Sequence, residues 1–381
     1  MKIKLMNKIA SVGTDVFDAT RYTVSADEVG AEAIMVRSAA LHEMTFEPEL
    51  LAIARCGAGV NNIPVDRCAE EGIVVFNTPG ANANGVKELA VLALILASRD
   101  VVGGIEWAKT LKGTEDVAKA VEKGKGAYVG CEVLGKKLGV IGLGAIGGMV
   151  ANAGVSLGMN VIGCDPFLSV AGAWNLSSTV RRAAAFDDIY AEADYITLHV
   201  PATPDTKKMI NRETIAKMKD GVRIINLARA DLVDAEAVKE ALATGKIAAY
   251  VTDFPTEETV GVPGIVAIPH LGASTFEAED NCAVMAAEEL VEYLECGNIR
   301  NSVNYPAVSL PRAGAARICV LHKNAPSVLS DITAAVANVA NMANGAKGNY
   351  AYTILELAEA APAGIVDALT KIEGVIRARV L

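Results

Sequence analysis

The chain has 381 residues, more than one ordinary domain holds, and a hydrophobic content of 52% supplies several cores. Its 45 acidic and 35 basic side chains leave a net charge of −10, which excludes a general nucleic-acid face but not a local Arg or Lys cluster for a small anion. The longest apolar run, Leu89 to Ala97, is too short to span a bilayer, and Met1 to Ala10 lacks a secretory h-region, so a cytoplasmic protein without a membrane partner is expected.

Up to about residue 90, short apolar segments alternate with helical ones. Ala33 to Ser38, Leu51 to Gly59 and Ile73 to Gly80 read as strands, which implies a parallel sheet with helices on its faces. Ligands of such sheets bind beyond the carboxyl ends of the strands, where Arg37, Ser38, Arg55, Gly57, Ala58, Gly59 and Asn77 fall. Gly85 to Asp100 reads as a helix apolar on nearly every face, buried all round between domains or at a subunit interface. From Gly135 to about Gly272 the alternation resumes, with strands expected at Lys137 to Gly142, Asn160 to Asp165, Tyr195 to Val200, Arg223 to Asn226, Ala248 to Asp253 and Ile265 to Ile268. A helix from Phe276 to Glu295 follows. Asn304 to Pro311 carries two prolines and reads as a linker. The remaining residues form a small unit close to the ferredoxin-like pattern. Its strands are Arg317 to Leu321, Tyr350 to Leu357 and Gly374 to Val380, and its helices Ser327 to Ala337 and Ala363 to Ile372. The fold class expected is therefore α/β: two Rossmann-like doubly wound parallel-sheet domains plus a small C-terminal α+β domain.

The seven cysteines are scattered without a CxxC pair and read as reduced thiols; no pair of the four histidines has a helical metal-ligand spacing, so no metal is expected. The glycine pattern Gly142-x-Gly144-x-x-Gly147 is weak alone. Here it follows an apolar strand, opens a helix through Ala145 and Ile146, and is followed by a strand ending in Asp165. In that context it is a dinucleotide fingerprint. Gly142 permits the turn, Gly144 lets a pyrophosphate approach the helix amides, and Gly147 allows close packing. Asp165 would bind ribose hydroxyls and repel a 2′-phosphate, which favours NAD.

A second group of residues follows later strands: Asn226 to Arg229, Asp253 to Glu258 and Pro269 to Thr275. Oxidation of a 2-hydroxy acid needs a base for the hydroxyl proton and a cation for the carboxylate. His270 suits the first role and Arg229 the second, with Glu258 the candidate carboxylate behind the imidazole. Taken singly, each has an ordinary structural reading as a hydrogen-bonding histidine, a surface arginine and a solvated turn.

Five segments together resemble the D-isomer-specific 2-hydroxyacid dehydrogenases: Arg55 to Ile63, Asn77 to Asn84, the glycine fingerprint, His199 to Thr203, and Pro269 to Thr275. The resemblance covers nearly the whole chain and is to the members that oxidise 3-phosphoglycerate, the first step of serine synthesis. It implies Arg229, Glu258 and His270 as catalytic residues and Asp165 at the ribose. Further cofactor contacts are implied at Ile146, Pro166, His199, Val200, Pro201, Thr206, Ala228, Asp253, His270 and Gly272. It also implies a discontinuous substrate domain, residues 1–92 with 281–303, around an NAD-binding domain of residues 93–280. A linker of residues 304–313 and an ACT-like domain of residues 314–381 would follow. Such modules bind amino acids and pair strands between subunits. L-serine is the expected effector, His322, Asn324 and Asn338 (or Asn341) the candidate contacts, and a homodimer or homotetramer the expected assembly. The sequence departs from the family at Ala230 and Ser327, where glycine is usual, and its first ACT-like helix is about one turn short. Two alternatives stay open: another substrate in the same class, such as hydroxypyruvate or a bulkier 2-oxo acid, or an NAD-sensing corepressor-like binding role.

Overall fold

The computed structural model describes residues 1–381. The chain divides into two compact units, Met1–Asn82 with Glu279–Leu381, and Ala83–Ala278.

The first unit holds two sheets. The larger is parallel, with strands β1 (Lys2–Leu5), β2 (Thr23–Ser25), β3 (Ala33–Val36), β4 (Ala52–Arg55) and β5 (Val74–Asn77) in the order β2-β1-β3-β4-β5. All four residues of β3 are buried, because both faces of the sheet are covered. One face packs Met35, Ala54 and Phe76 against Ala286, Leu290 and Tyr293 of the C-terminal part of the chain; the other packs Ile34, Ile53 and Val75 on Cys68 and Leu41. β1 and β2 were not among the strands expected. β1 alternates Lys with apolar residues and has only four, too few to carry a period-2 signal.

The second unit holds one parallel sheet with strands β6 (Lys137–Ile141), β7 (Asn160–Cys164), β8 (Arg181–Arg182), β9 (Tyr195–Leu198), β10 (Val222–Asn226), β11 (Ile247–Thr252) and β12 (Ile265–Ala267), in the order β12-β11-β10-β9-β6-β7-β8. β6 therefore neighbours both β7 and β9, and the winding reverses beside the strand that carries the glycine turn. This is the doubly wound arrangement and its switch point. The helix Ala83–Ser98 buries Val86, Ala90, Ala93, Leu94 and Ala97 on one side, whereas Leu92 remains 48% exposed. Burial on every face was expected; the 3–4 spacing of the buried alanines instead leaves the leucine side open within this chain.

The small sheet of the first unit is antiparallel. Its strands β13 (Ala316–Lys323), β14 (Val339–Lys347), β15 (Tyr350–Leu357) and β16 (Val375–Val380) lie in the order β14-β15-β13-β16, with helices Val328–Ala335 and Ile365–Thr370 between them. The sequence βαββαβ completes the ferredoxin-like pattern. β14 was missed because Val-Ala-Asn-Met-Ala-Asn-Gly-Ala-Lys has only one β-branched residue; the ladder to β15 overrides that weak propensity. One face of the sheet packs Ile318, Val320 and Leu355 on the two helices. The other packs Leu321, Tyr352 and Ile354 into the same core as Phe76 and Tyr293. Polar contacts reinforce this second face. Arg317 and Glu356 form a fully buried ion pair, and Arg317 Nη2 also donates to Leu310 O at 2.7 Å. Arg377 donates to Leu50 O at 2.5 Å and to Pro48 O and Glu71 O at 3.3 Å each. The expected linker is itself anchored: Asn304 exchanges two bonds with β5 and the residue before it, Val75 N to Oδ1 at 2.9 Å and Nδ2 to Ile73 O at 2.8 Å. No helix is long and apolar enough to cross a membrane, and no cluster of three His, Cys, Asp or Glu side chains could hold a metal ion.

Candidate active site

The glycine turn sits at the carboxyl end of β6. Gly142 has φ +88°, and a Cβ there would lie 2.5 Å from His199 O. A Cβ on Gly147 would lie 1.9 Å from Gly142 O, so the helix Ala145–Ser156 can only approach the strand through a glycine. Gly144, the residue capping that helix, behaves differently. Nothing lies within 4 Å of a Cβ built on it. Protein packing does not demand its smallness; a phosphate approaching the helix amides would. Asp165, just past β7, accepts Leu143 N on Oδ2 and Phe167 N on Oδ1, both at 2.8 Å. The carboxylate thereby shapes the turn, and each oxygen keeps lone-pair capacity for a ribose hydroxyl.

His199 follows β9, its Nε2 2.9 Å from Thr197 Oγ1; burial pushes its pKa down to about 4, so the ring is neutral at physiological pH. Val200 and Pro201 continue the loop, and Thr206 Oγ1 closes it by donating to Pro201 O at 2.6 Å.

The residues expected to carry chemistry follow β10, β11 and β12, which are adjacent strands. Asn226, fully buried at the end of β10, donates to Arg229 O at 2.8 Å and accepts Ala228 N and Arg229 N at 3.2 and 3.3 Å. It fixes the loop that presents Arg229. The Arg229 guanidinium lies 5.9 Å from the Phe254 ring centroid, and the Phe254 ring lies 4.8 Å from that of His270. Phe254 is thus a common neighbour that brings Arg229 and His270 into one cluster. Neither Asn226 nor Phe254 was assigned a role from the sequence; their signal is position, one closing a strand and one directly following Asp253.

Asp253 is 2% exposed, and its two oxygens accept Leu271 N at 2.7 Å and Gly272 N at 2.8 Å. Those amides follow His270, whose φ is +53°, the left-handed region. The buried carboxylate pins the loop and holds the exposed imidazole in a conformation that an unsupported chain disfavours. Glu258 is not hydrogen-bonded to His270. It is exposed and lines a cavity of about 310 Å³ with Lys207, Lys208, Asp231 and Glu236. Ala230 opens a short 3-10 turn and is not left-handed, so the glycine usual at this place is not required by the backbone here.

In the first unit, Asn7 Oδ1 accepts the amides of Arg37, Ser38 and Ala39 at 2.9, 3.0 and 3.1 Å, and Arg37 pairs with Glu279 at 2.5 Å. Asn7 was missed, being remote in sequence from the turn it caps. Arg55 folds over Gly57, where a Cβ would lie 1.4 Å from its Nη1, and Asn77 Nδ2 donates to Ala58 O at 2.6 Å. Gly59 follows on this loop and is half-buried.

Of the expected effector residues, His322 is 2% exposed. Its Nδ1 donates to Lys323 O at 2.9 Å, so its Nε2 accepts from Thr353 Oγ1 at 2.9 Å, and burial lowers its pKa. Both ring nitrogens are engaged inside the sheet, and the expected direct contact with an effector is not available in this conformation. Asn324 is exposed and donates to Gly348 O at 3.1 Å; Asn338 is exposed with φ +56°. Ser327, where glycine is usual, has φ +69°.

The family model for the D-isomer specific 2-hydroxyacid dehydrogenase, NAD binding domain, matches residues 104–276. The D-3-phosphoglycerate dehydrogenase of Synechocystis sp. is 36% identical over 290 residues, covering 73% of this chain and 50% of that protein. That of Haemophilus influenzae is 31% identical over 350 residues, covering 88% of this chain and 82% of that protein. The chain spans about half the length of the first curated relatives it matches. Among solved structures, the NAD⁺-bound 3-phosphoglycerate dehydrogenase of Entamoeba histolytica superposes with a TM-score of 0.61 at 24% identity, covering 80% of this chain and 98% of that one, a likeness of fold. The chain belongs to the D-isomer-specific 2-hydroxyacid dehydrogenases, and its second unit contains that family's NAD-binding domain.

Proposed function

We propose that the protein oxidises 3-phospho-D-glycerate to 3-phosphohydroxypyruvate with NAD, the first step of L-serine synthesis. The observation that carries the chemistry is the Arg229–Phe254–His270 cluster at the ends of adjacent strands, with the His270 loop held by buried Asp253. The substrate rests on the relatives named D-3-phosphoglycerate dehydrogenase.

His270 takes the proton of the C2 hydroxyl as the C2–H bond breaks. Arg229 presents a planar, two-pronged cation to the substrate carboxylate. When bound, NAD supplies the acceptor for the hydride leaving C2, so the substrate loses two electrons and one proton to the cofactor and one proton to His270. Glycines 142, 144 and 147, the helix opening at Ala145 and Ile146, Asp165, Pro166 and the His199 to Thr206 loop are the residues that would hold the cofactor. Ala228 and Gly272 flank that site. Glu258 sits on the loop after β11 and serves the imidazole once the loop carrying it closes. Arg37, Ser38 and the Arg55 to Gly59 loop are the first unit's substrate contacts. Turnover of 3-phosphoglycerate with NAD tests the assignment: reduction of NAD by this acid, and slower reduction by lactate or glycerate, is the expected result. Faster turnover of either of those acids would replace the substrate, and NAD binding without turnover of any 2-hydroxy acid would leave a binding role.

Three further readings accompany it. The first unit comprises a substrate domain and an ACT-like domain joined by residues 304–313. The chain forms a homo-oligomer, for which Leu92, Val101, Val102 and Ile105, all at least 39% exposed, supply an apolar surface. L-serine binds the ACT-like domain near Asn324 and Asn338. Calorimetric titration of serine, with rates followed alongside, decides the last point; no heat and no inhibition at millimolar serine leaves that domain a structural role.

A further inference from the structure

The first unit gathers two arginines at the ends of adjacent strands. Val36 of β3 lies opposite Arg55 of β4, so Arg37 follows one residue beyond that pair. Burial raises the pKa of the Cys56 and Cys282 thiols, and the charges of both arginines pull each of them back, so the two guanidinium groups share one neighbourhood. Cys282 stands on the helix Phe276–Val291, three residues after Glu279, and the Glu279 charge acts on it in the opposite sense. Two cations and one anion thus meet at the carboxyl end of the parallel sheet.

Arg37 is held from both ends. Asn7 Oδ1 accepts the amides of Arg37, Ser38 and Ala39, which fixes its backbone. Arg37 Nη2 donates to Glu279 Oε1 at 2.5 Å, which fixes its guanidinium. The two side chains remain 44% and 41% exposed, so water screens the pair and an anion from solution can compete for the same guanidinium. A 2-hydroxy acid with a neutral tail asks nothing of Arg37. A phosphate tail brings up to about two further negative charges. It is attracted by the two arginines, repelled by Glu279, and has to share Arg37 with it.

We propose that Glu279 is a specificity-determining residue: as the built-in counter-ion of Arg37, it sets how strongly the site prefers an acid with an anionic tail over one with a neutral tail. This rests on the reading of Arg37 and Arg55 as substrate contacts. The hydrogen bond from Arg37 orients the guanidinium, while the Glu279 charge holds the preference below what two arginines alone would give.

The two effects are separable, because Glu279→Gln keeps an oxygen that accepts from Arg37 and removes the charge. kcat/KM is measured for 3-phosphoglycerate and for glycerate, with NAD saturating, in the full chain and in Glu279→Gln, Glu279→Ala and Arg37→Ala. Glu279→Gln should raise the ratio of the phosphorylated to the unphosphorylated acid by about two- to fivefold, the scale of one exposed charge. The gain should come through KM rather than kcat and should shrink at high salt. Glu279→Ala, which also removes the orienting oxygen, should raise the ratio less, and Arg37→Ala should lower it. A ratio unchanged or lowered in Glu279→Gln, or unchanged in Arg37→Ala, would overturn the proposal. The ratios are readable whichever acid the wild type prefers, so a wild type faster on glycerate would displace the substrate assignment without deciding the role of Glu279, which the variants decide. Turnover of neither acid by the wild type would remove the substrate site, and the proposal with it.

Discussion

At the scale of single residues, the fingerprint glycines and Asp165 were readable from the sequence because each answers to a local rule of backbone and spacing. His270 and Arg229 were readable as types at strand ends. What holds them was not, since Asn226 and Asp253 act through hydrogen bonds across loops that no spacing encodes. If His270 is the base, His270→Asn should lower kcat by at least about a hundredfold with NAD affinity unchanged. A steady-state assay with a separate NAD titration checks this. Glu258→Gln bears on the loop motion proposed for it. With the loop closed on bound substrate a carboxylate behind the imidazole would steady it as a base, so Glu258→Gln should lower kcat with NAD affinity unchanged; an unchanged kcat would leave Glu258 outside the catalytic group. Ser327 illustrates a cost written into the chain. A serine at φ +69° is disfavoured by about 1 kcal/mol relative to glycine, so Ser327→Gly should raise the stability of the chain in urea by about that amount.

At the scale of elements, strands with continuous apolar runs were readable, whereas β1, β2, β8 and β14 were not, because their stability comes from ladder neighbours. The helix Phe276–Val291 carries a group whose burial no periodicity shows. Glu289 is 6% exposed; its Oε1 accepts Asn301 Nδ2 at 2.6 Å and its Oε2 has no partner. Burial pushes its pKa up to about 8, against an ordinary value of 4.5. Glu288, Glu292 and Arg300 line the cavity beside it. Between about pH 5 and 8 the folded chain keeps a proton that the unfolded chain has released, so stability contributed by this group falls as pH rises through that window. Glu289→Gln cannot lose a proton and should flatten the decline. Urea unfolding followed at pH 5, 6.5 and 8 in both proteins measures the difference in slope, and parallel curves would show that Glu289 is ionised in the folded state.

At the scale of the whole molecule, the sequence pointed to a separate C-terminal module on a proline-containing linker, and composition does change there. Composition cannot show that the module's second face is covered. Leu321, Tyr352 and Ile354 share a core with Phe76 and Tyr293, the supposed linker is bonded to β5, and Arg377 binds the carbonyl of Leu50 just before β4. The parallel and antiparallel sheets of the first unit therefore stabilise each other, and they should unfold together. The buried pair Arg317–Glu356 gives the sharpest test. Glu356→Gln leaves a guanidinium that is 0% exposed without its counter-charge, a loss on the scale of about 3–5 kcal/mol for breaking a buried pair. If the sheets are one cooperative unit, that loss lowers the unfolding midpoint of the parallel sheet as well, read by protection of the β3 and β4 amides in hydrogen exchange. Limited proteolysis of the wild-type chain should likewise release no stable fragment beginning near residue 314. Exchange that accelerates only in β13 to β16 would show instead that the small domain opens by itself, and would return to it the independence that a mobile regulatory module needs.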